Sequence, residues 1–180
     1  MRDVADLLAS AFADDPLWQA LSPRDGALAW LFERRLALLG DRSVVGREQG
    51  APIWHYALIP WDAGASLGGM LAAGLYQAPL RIGVRASLDL YRLARHLGRR
   101  VVDGPYDVLE AVAVARERRG QGIMSRVLTE RLAGQDRPVV LNTQQPRNVG
   151  LYERLGFAVA VDEELRVGRS RLRSWTMVRS

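Results

Sequence analysis

The 180-residue chain contains no cysteine and no lysine. Without a thiol it forms no disulfide, offers no thiolate to zinc and has no cysteine nucleophile for a covalent acyl-enzyme. Its two histidines, His55 and His96, do not have metal-ligand spacing, so no metal is expected. No apolar run approaches the roughly 20 residues of a membrane-spanning helix. The first residues show no basic region ahead of an apolar core, so no secretory signal is read there and a cytoplasmic location is expected. Repeats and low-complexity linkers are also missing, which leaves a single domain over residues 1–180.

The missing lysine places all 25 basic residues on arginine, with a net charge of +5. That balance invites a nucleic-acid reading. The arginines are spread along the chain, however, and form no tract interleaved with aromatics. The densest groups are Arg92, Arg95, Arg99 and Arg100, then Arg166, Arg169, Arg171 and Arg173. Each reads as a solvated face or as an attractor for a polyanionic ligand. Neither nucleic acid nor membrane is expected as a partner.

What is present reads as alternating helices and strands. Val4, Leu7, Leu8, Ala11 and Phe12 form one helical stripe, which Asp14, Asp15 and Pro16 break. Ser22-Pro23-x-Asp25 predicts a capped helix start, and Leu28, Leu31, Phe32, Leu36 and Leu39 carry that helix to Gly40. Residues 42–48 and 53–59 around Gln49-Gly50 predict a β-hairpin closed by Pro60. Residues 66–100 predict two helices split near Pro79, inserted ahead of the central strand. After Phe157 come a strand over 158–161, an acidic turn at 162–164 and a last strand over 171–178.

The chemistry concentrates between Val108 and Phe157. Leu109 to Val114 is a short apolar run rich in valine and reads as a strand. RERRGQGI follows from Arg116, and directly after Gly122 a helical stripe begins at Ile123 and Met124. Strand, glycine turn and helix point several amides at one spot where the helix dipole adds positive charge, which favours phosphate. Arg118 and Arg119 flank that turn with fixed cationic donors. An isolated Gly-x-Gly also serves simply to turn a chain into a helix. Downstream, Val139 to Thr143 reads as a second strand, and Val149, Tyr152 and Leu155 recur on a short helix ended by Gly156. Asn148 stands where an N-cap or a ligand-contacting amide would stand. Tyr152 reads either as a core tyrosine or as a phenol that hands a proton to a leaving group.

RRGQGI and Asn-x-x-x-Tyr-Glu-Arg-Leu-Gly-Phe at this spacing resemble the coenzyme A core of the GNAT family of N-acetyltransferases. The finer pattern QQPRNVGLYERLGF, the ending DEEL to WTMVR and the opening DVADLLASAFADDP are similar to the branch that contains puromycin N-acetyltransferase. The resemblance implies an α/β domain with a mixed, mostly antiparallel central sheet and acetyl-CoA as co-substrate. It implies that the main chain of Val112, Ala113 and Val114 pairs with the pantetheine arm. The turn Arg118, Arg119, Gly120, Gln121, Gly122 and Ile123 would then hold the pyrophosphate, Asn148 would contact the arm, and Tyr152 would protonate the departing thiolate. Glu117 stands where the family often has Gln or Arg, which removes one donor. Such domains usually begin with a strand, for which there is no room ahead of the first helix here, so either the start is trimmed or the sheet is expected to have one edge strand fewer.

Acetyl transfer from a thioester to an amine needs a neutral amine, a carbonyl held by donors and help for the leaving sulfur, and direct attack is the simplest route. Three candidates stand for the base. Glu110 lies two residues before Val112, on the same face if the strand alternates regularly. His55 in the apolar run IWHYALIP is the second, and water the third. The acceptor is expected to be a small-molecule amine with the insert as one wall of its site, Trp61, Met70, Tyr76 and Tyr91 being available to contact it. Self-association into a homodimer is left open. A non-catalytic acyl-CoA-binding module and a basic nucleic-acid-binding protein remain the competing readings.

Overall fold

A computed structural model describes residues 1–21, 24–63 and 66–180. The chain begins with α1 (Arg2–Phe12), whose Val4, Ala5, Leu7 and Leu8 are buried along the expected stripe. A short helix α2 (Pro16–Leu21) follows, which the sequence reading did not contain. Pro16 takes its first position, and the Asp15 carboxylate accepts the Leu17 amide at 2.9 Å. The expected Ser22-Pro23 cap lies outside the described residues. α3 (Ala27–Leu39) starts after Gly26 and stops at Gly40.

Next comes the hairpin of β1 (Ser43–Glu48) and β2 (Ala51–Pro60). Gln49 and Gly50 both have positive φ, 50° and 85°, as a two-residue hairpin turn of the I′ kind requires. The insert forms α4 (Leu67–Ala72), α5 (Ala78–Arg81) and α6 (Val84–Leu97), not the two helices expected. Pro79 lies in the first turn of α5, where its missing N–H costs nothing, and the breaks fall at Gly74 and Gly83, with φ of 78° and 94°.

The remaining elements are β3 (Asp107–Val114), α7 (Ile123–Ala133), β4 (Val139–Thr143), α8 (Pro146–Arg154), β5 (Ala158–Val167) and β6 (Ser170–Arg179). The six strands lie in the order β1-β2-β3-β4-β6-β5, with β3–β4 parallel and the other neighbours antiparallel. Among the described residues no strand precedes α1. The acidic stretch 162–164 is not a turn but lies inside β5. Asp162 and Glu164 pair across the hairpin with Arg173 and Arg171 of β6, at 2.6 and 2.9 Å, and the turn moves on to Gly168 at φ 60°.

Helices cover both faces of this sheet. α7 and α8 pack Met124, Leu128, Leu132 and Tyr152 onto Leu109, Leu141, Trp175 and Met177. On the opposite face α1 and α3 bring Leu8, Phe32, Leu36 and Leu39 onto Ala57 and Ala113. α6 joins that second layer, with Ala86 against Ala27 and Leu31 of α3.

Candidate functional site

β3 and β4 are in register only at Asp107 with Val139 and Val108 with Val140. Beyond that point each keeps its outer neighbour: β3 pairs with β2 as far as Val114, and β4 with β6 as far as Thr143. The two strands therefore part into a V. Their facing edges present main-chain donors and acceptors with no strand between them, a setting for an extended, amide-bearing ligand.

β3 is also bulged. His55 faces Ala113 and Ala57 faces Glu110, so three residues on β2 oppose four on β3. Ala111 sits at φ 53°, rare for a residue with a side chain. The extra residue resets the alternation: Leu109, Val112 and Val114 meet the α7/α8 core, while Ala111 and Ala113 meet the α1/α3 core. Glu110 therefore does not share a face with Val112, contrary to the regular strand assumed from sequence. Its carboxylate is ion-paired with Arg35 of α3 on the opposite side. His55 is fully buried, with Nδ1 2.8 Å from the Ala111 carbonyl and Nε2 2.8 Å from the Ser43 hydroxyl. Both ring nitrogens are engaged, and burial lowers its pKa below the usual histidine value. It has no nitrogen left for a substrate proton.

At the end of β3 the chain makes one 3₁₀ turn over Arg116–Arg118 and enters α7 through Gly120 and Gly122, at φ 78° and 68°. Gly122 is the N-cap and gives α7 no side-chain cap. Among the described residues the amides of Gly120, Gln121, Gly122 and Ile123 donate to no protein group. A Cβ on either glycine would meet nothing within 4 Å, so the space above the turn is open. These residues fit an anionic group such as a pyrophosphate. The arginine side chains are used differently from the expectation of direct contact. Arg118 pairs with Glu48 of β1, and Arg119 donates to the carbonyls of Val114 at 3.3 Å and Ala11 at 2.9 Å. Their guanidinium groups tie the turn to its neighbours, and their amides close the 3₁₀ turn on Ala115 and Arg116.

On the other side of the V, Gln145 is the N-cap of α8 and Pro146 its first residue, so Asn148 is not the cap. The Asn148 amide donates to the Thr143 hydroxyl at 3.4 Å. One turn on, Tyr152 is 7 % exposed, with its ring edge-on to Phe157 at 5.8 Å. Burial raises the phenol pKa, so the group stays protonated. Val112, Val114, Tyr152 and the start of α7 thus gather on one face, and Glu110 with Arg35 lies on the other. Sequence reasoning missed Arg35, whose only signal was a charge inside an apolar helix stripe. It also missed the polar groups at the mouth of the V, where Gln144 donates to Ser174 at 2.9 Å and Thr176 to Asn142 at 2.7 Å.

Two cavities lie on the Glu110 face. One of about 170 Å³ is lined by Arg35, Arg42, Ile59 and, from the insert, Ser66 and Gly69. The other is a groove of about 770 Å³ between α6 and β5, where Arg85, Arg92, Arg95 and Arg99 meet Arg166. The fold thereby joins members of two arginine groups that are remote in sequence.

Residues 90–159, from the second half of α6 into β5, match the family model described as an acetyltransferase (GNAT) domain. The whole fold is shared with solved acetyltransferases. A Corynebacterium glutamicum structure described as histone acetyltransferase HPA2 and related acetyltransferase is 21% identical, with TM-score 0.67, over 98% of this chain and 88% of that one. An N-acetyltransferase from Staphylococcus aureus is 16% identical, with TM-score 0.59, over 97% and 93%. Chaetomium thermophilum Naa20, solved with a bisubstrate analogue, is 16% identical, with TM-score 0.53, over 99% and 83%. The chain has the GNAT acetyltransferase fold.

Proposed function

We propose that this protein is an acetyl-CoA-dependent N-acetyltransferase that moves an acetyl group to the amine of a small molecule by direct attack. The observation that carries the reading is the V between β3 and β4, opening beside a glycine turn whose amides have no protein partner among the described residues. In this reading the main chain of Val112, Ala113 and Val114 pairs with the amides of the pantetheine arm. The amides from Gly120 to Ile123 hold the pyrophosphate, and Asn148 reaches the arm from α8. The Tyr152 phenol, kept neutral by burial, lies toward the leaving sulfur. The amine then arrives from the opposite face, where Glu110 takes its proton directly or through water once its pairing with Arg35 loosens.

The same proposal gives the insert its role, since α4 lines the cavity that also contains Arg35. It includes the branch of puromycin N-acetyltransferase, supported by QQPRNVGLYERLGF. Calorimetry with free coenzyme A and acetyl-CoA, followed by thiol release over a panel of small amines, tests the reading. Binding with amine-dependent thiol release is the expected result. Binding without release on any amine would instead indicate an acyl-CoA-binding module. No binding to either species, with a salt-sensitive shift on duplex DNA, would overturn the proposal in favour of a basic nucleic-acid binder.

A further inference from the structure

A residue with a side chain does not hold positive φ unless its surroundings impose it. Ala111 does so at 53°, in the middle of the strand that forms one wall of the V. The group bonded to it is His55. A carbonyl oxygen only accepts, so His55 Nδ1 carries the hydrogen and donates it to Ala111, which leaves Nε2 to accept from the Ser43 hydroxyl. The chain of bonds crosses three strands, from β1 through β2 to the bulge, and its middle member is fully buried. The peptide between Ala111 and Val112 is planar and trans, so its C=O and N–H point in opposite directions. With Ala113 paired to β2, the Val112 N–H points away from β2, toward the V, and the bond from His55 to the Ala111 carbonyl holds that peptide at the bulge.

We infer that His55, backed by Ser43, is a positioning residue that fixes the bulge of β3 and so aims the Val112 N–H at the thioester carbonyl, while the Val112 C=O and Val114 stay with the pantetheine arm. This rests on the acetyl-transfer reading above. His55 acts through the backbone and moves no proton. Its effect falls on the group that an acetyl-CoA carbonyl would meet and not on the turn that would hold the pyrophosphate. Substrate activation and coenzyme A affinity are thereby separable.

The test is His55→Leu, which keeps the volume and removes both hydrogen bonds. We expect kcat to fall about 10- to 100-fold, while the affinity for free coenzyme A, which has no acetyl carbonyl, changes less than about threefold. Adding Ala111→Gly supplies a residue that adopts positive φ without help, and it should restore part of the lost kcat. A proton-transfer role would not be rescued this way. Unchanged kcat in His55→Leu, a proportional loss of coenzyme A affinity, or no recovery in the double variant would overturn the proposal. If His55→Leu does not fold, Ser43→Ala tests the outer bond alone. We expect it to lower kcat about threefold at unchanged coenzyme A affinity, and an unchanged kcat would count against the clamp. A wild-type protein that binds coenzyme A yet transfers acetyl to no amine would sink the functional reading instead, and the two failures are told apart by the wild-type control.

Discussion

At the scale of single residues, Tyr152 and His55 exchange the characters their neighbourhoods suggest. Tyr152 looks like core, yet its phenol has no hydrogen-bond partner among the described residues and is kept protonated by burial. A thiol ordinarily titrates near 8.5, so in the proposed reaction a buried phenol would serve a departing thiolate as a hydrogen-bond donor more than as a strong acid. Tyr152→Phe should lower turnover about 100-fold. Coenzyme A affinity by calorimetry and the melting temperature should stay close to wild type, because no hydrogen bond within the protein is lost. Equal turnover would return Tyr152 to the core. His55 looks like a candidate base and is instead locked neutral. Its folded pKa is lowered, so below about 6.5 the unfolded chain takes up a proton that the folded chain refuses. Stability from this residue is complete above that pH and is lost as the pH falls through it. The melting temperature should therefore drop between pH 7 and pH 5, and His55→Leu should flatten that slope; an unchanged slope would show that another group titrates there. The helix that carries Tyr152 and the positive-φ glycines of the turn were legible because the residues that shape them are close in sequence. The role of His55 was not, since Ser43 and Ala111 reach it only through strand pairing.

At the scale of elements, the turn before α7 follows directly from its residues. Gly120 combines positive φ with open space above it, so a branched side chain there would both strain the turn and fill that space. Gly120→Val should abolish coenzyme A binding in calorimetry, and retained affinity would remove the turn from the site. The hairpin, β4, α3 and the end of α8 were equally legible, because each carries its own punctuation in glycine or proline. Three features were not. The bulge of β3 needs no glycine, so Leu109 to Val114 reads as a regular strand and puts Glu110 on the wrong face. Asp162 to Glu164 is acidic enough to read as a turn, and only arginines seven and eleven residues away turn it into a strand by pairing across the hairpin. In the insert, Gly74 and Gly83 end helices that the apolar pattern alone would continue.

At the scale of the whole molecule, the arginines that make the chain basic gather in two places, and the group at the glycine turn (Arg116, Arg118, Arg119 and Arg147) is the smaller. Their main meeting place is the groove between α6 and β5, while α7 lies on the other face of the sheet. Replacing Arg92, Arg95 and Arg99 together by glutamine should leave coenzyme A affinity at moderate salt within about twofold, since charges beyond roughly 10 Å are screened there. A larger loss, read by calorimetry, would give the groove a part in cofactor capture.

The parting of β3 from β4 has a mechanical side as well. Two residue pairs are all that join the leaf β1-β2-β3 to the leaf β4-β6-β5 within the sheet. Such a seam divides the sheet, though not the core that α7 and α8 share across it, into two leaves that can open locally with different free energies. Hydrogen exchange should then protect the two leaves to different degrees in the free protein. A ligand lying along both edges would stitch them together, and with coenzyme A bound their slowest amides should exchange as one cooperative body.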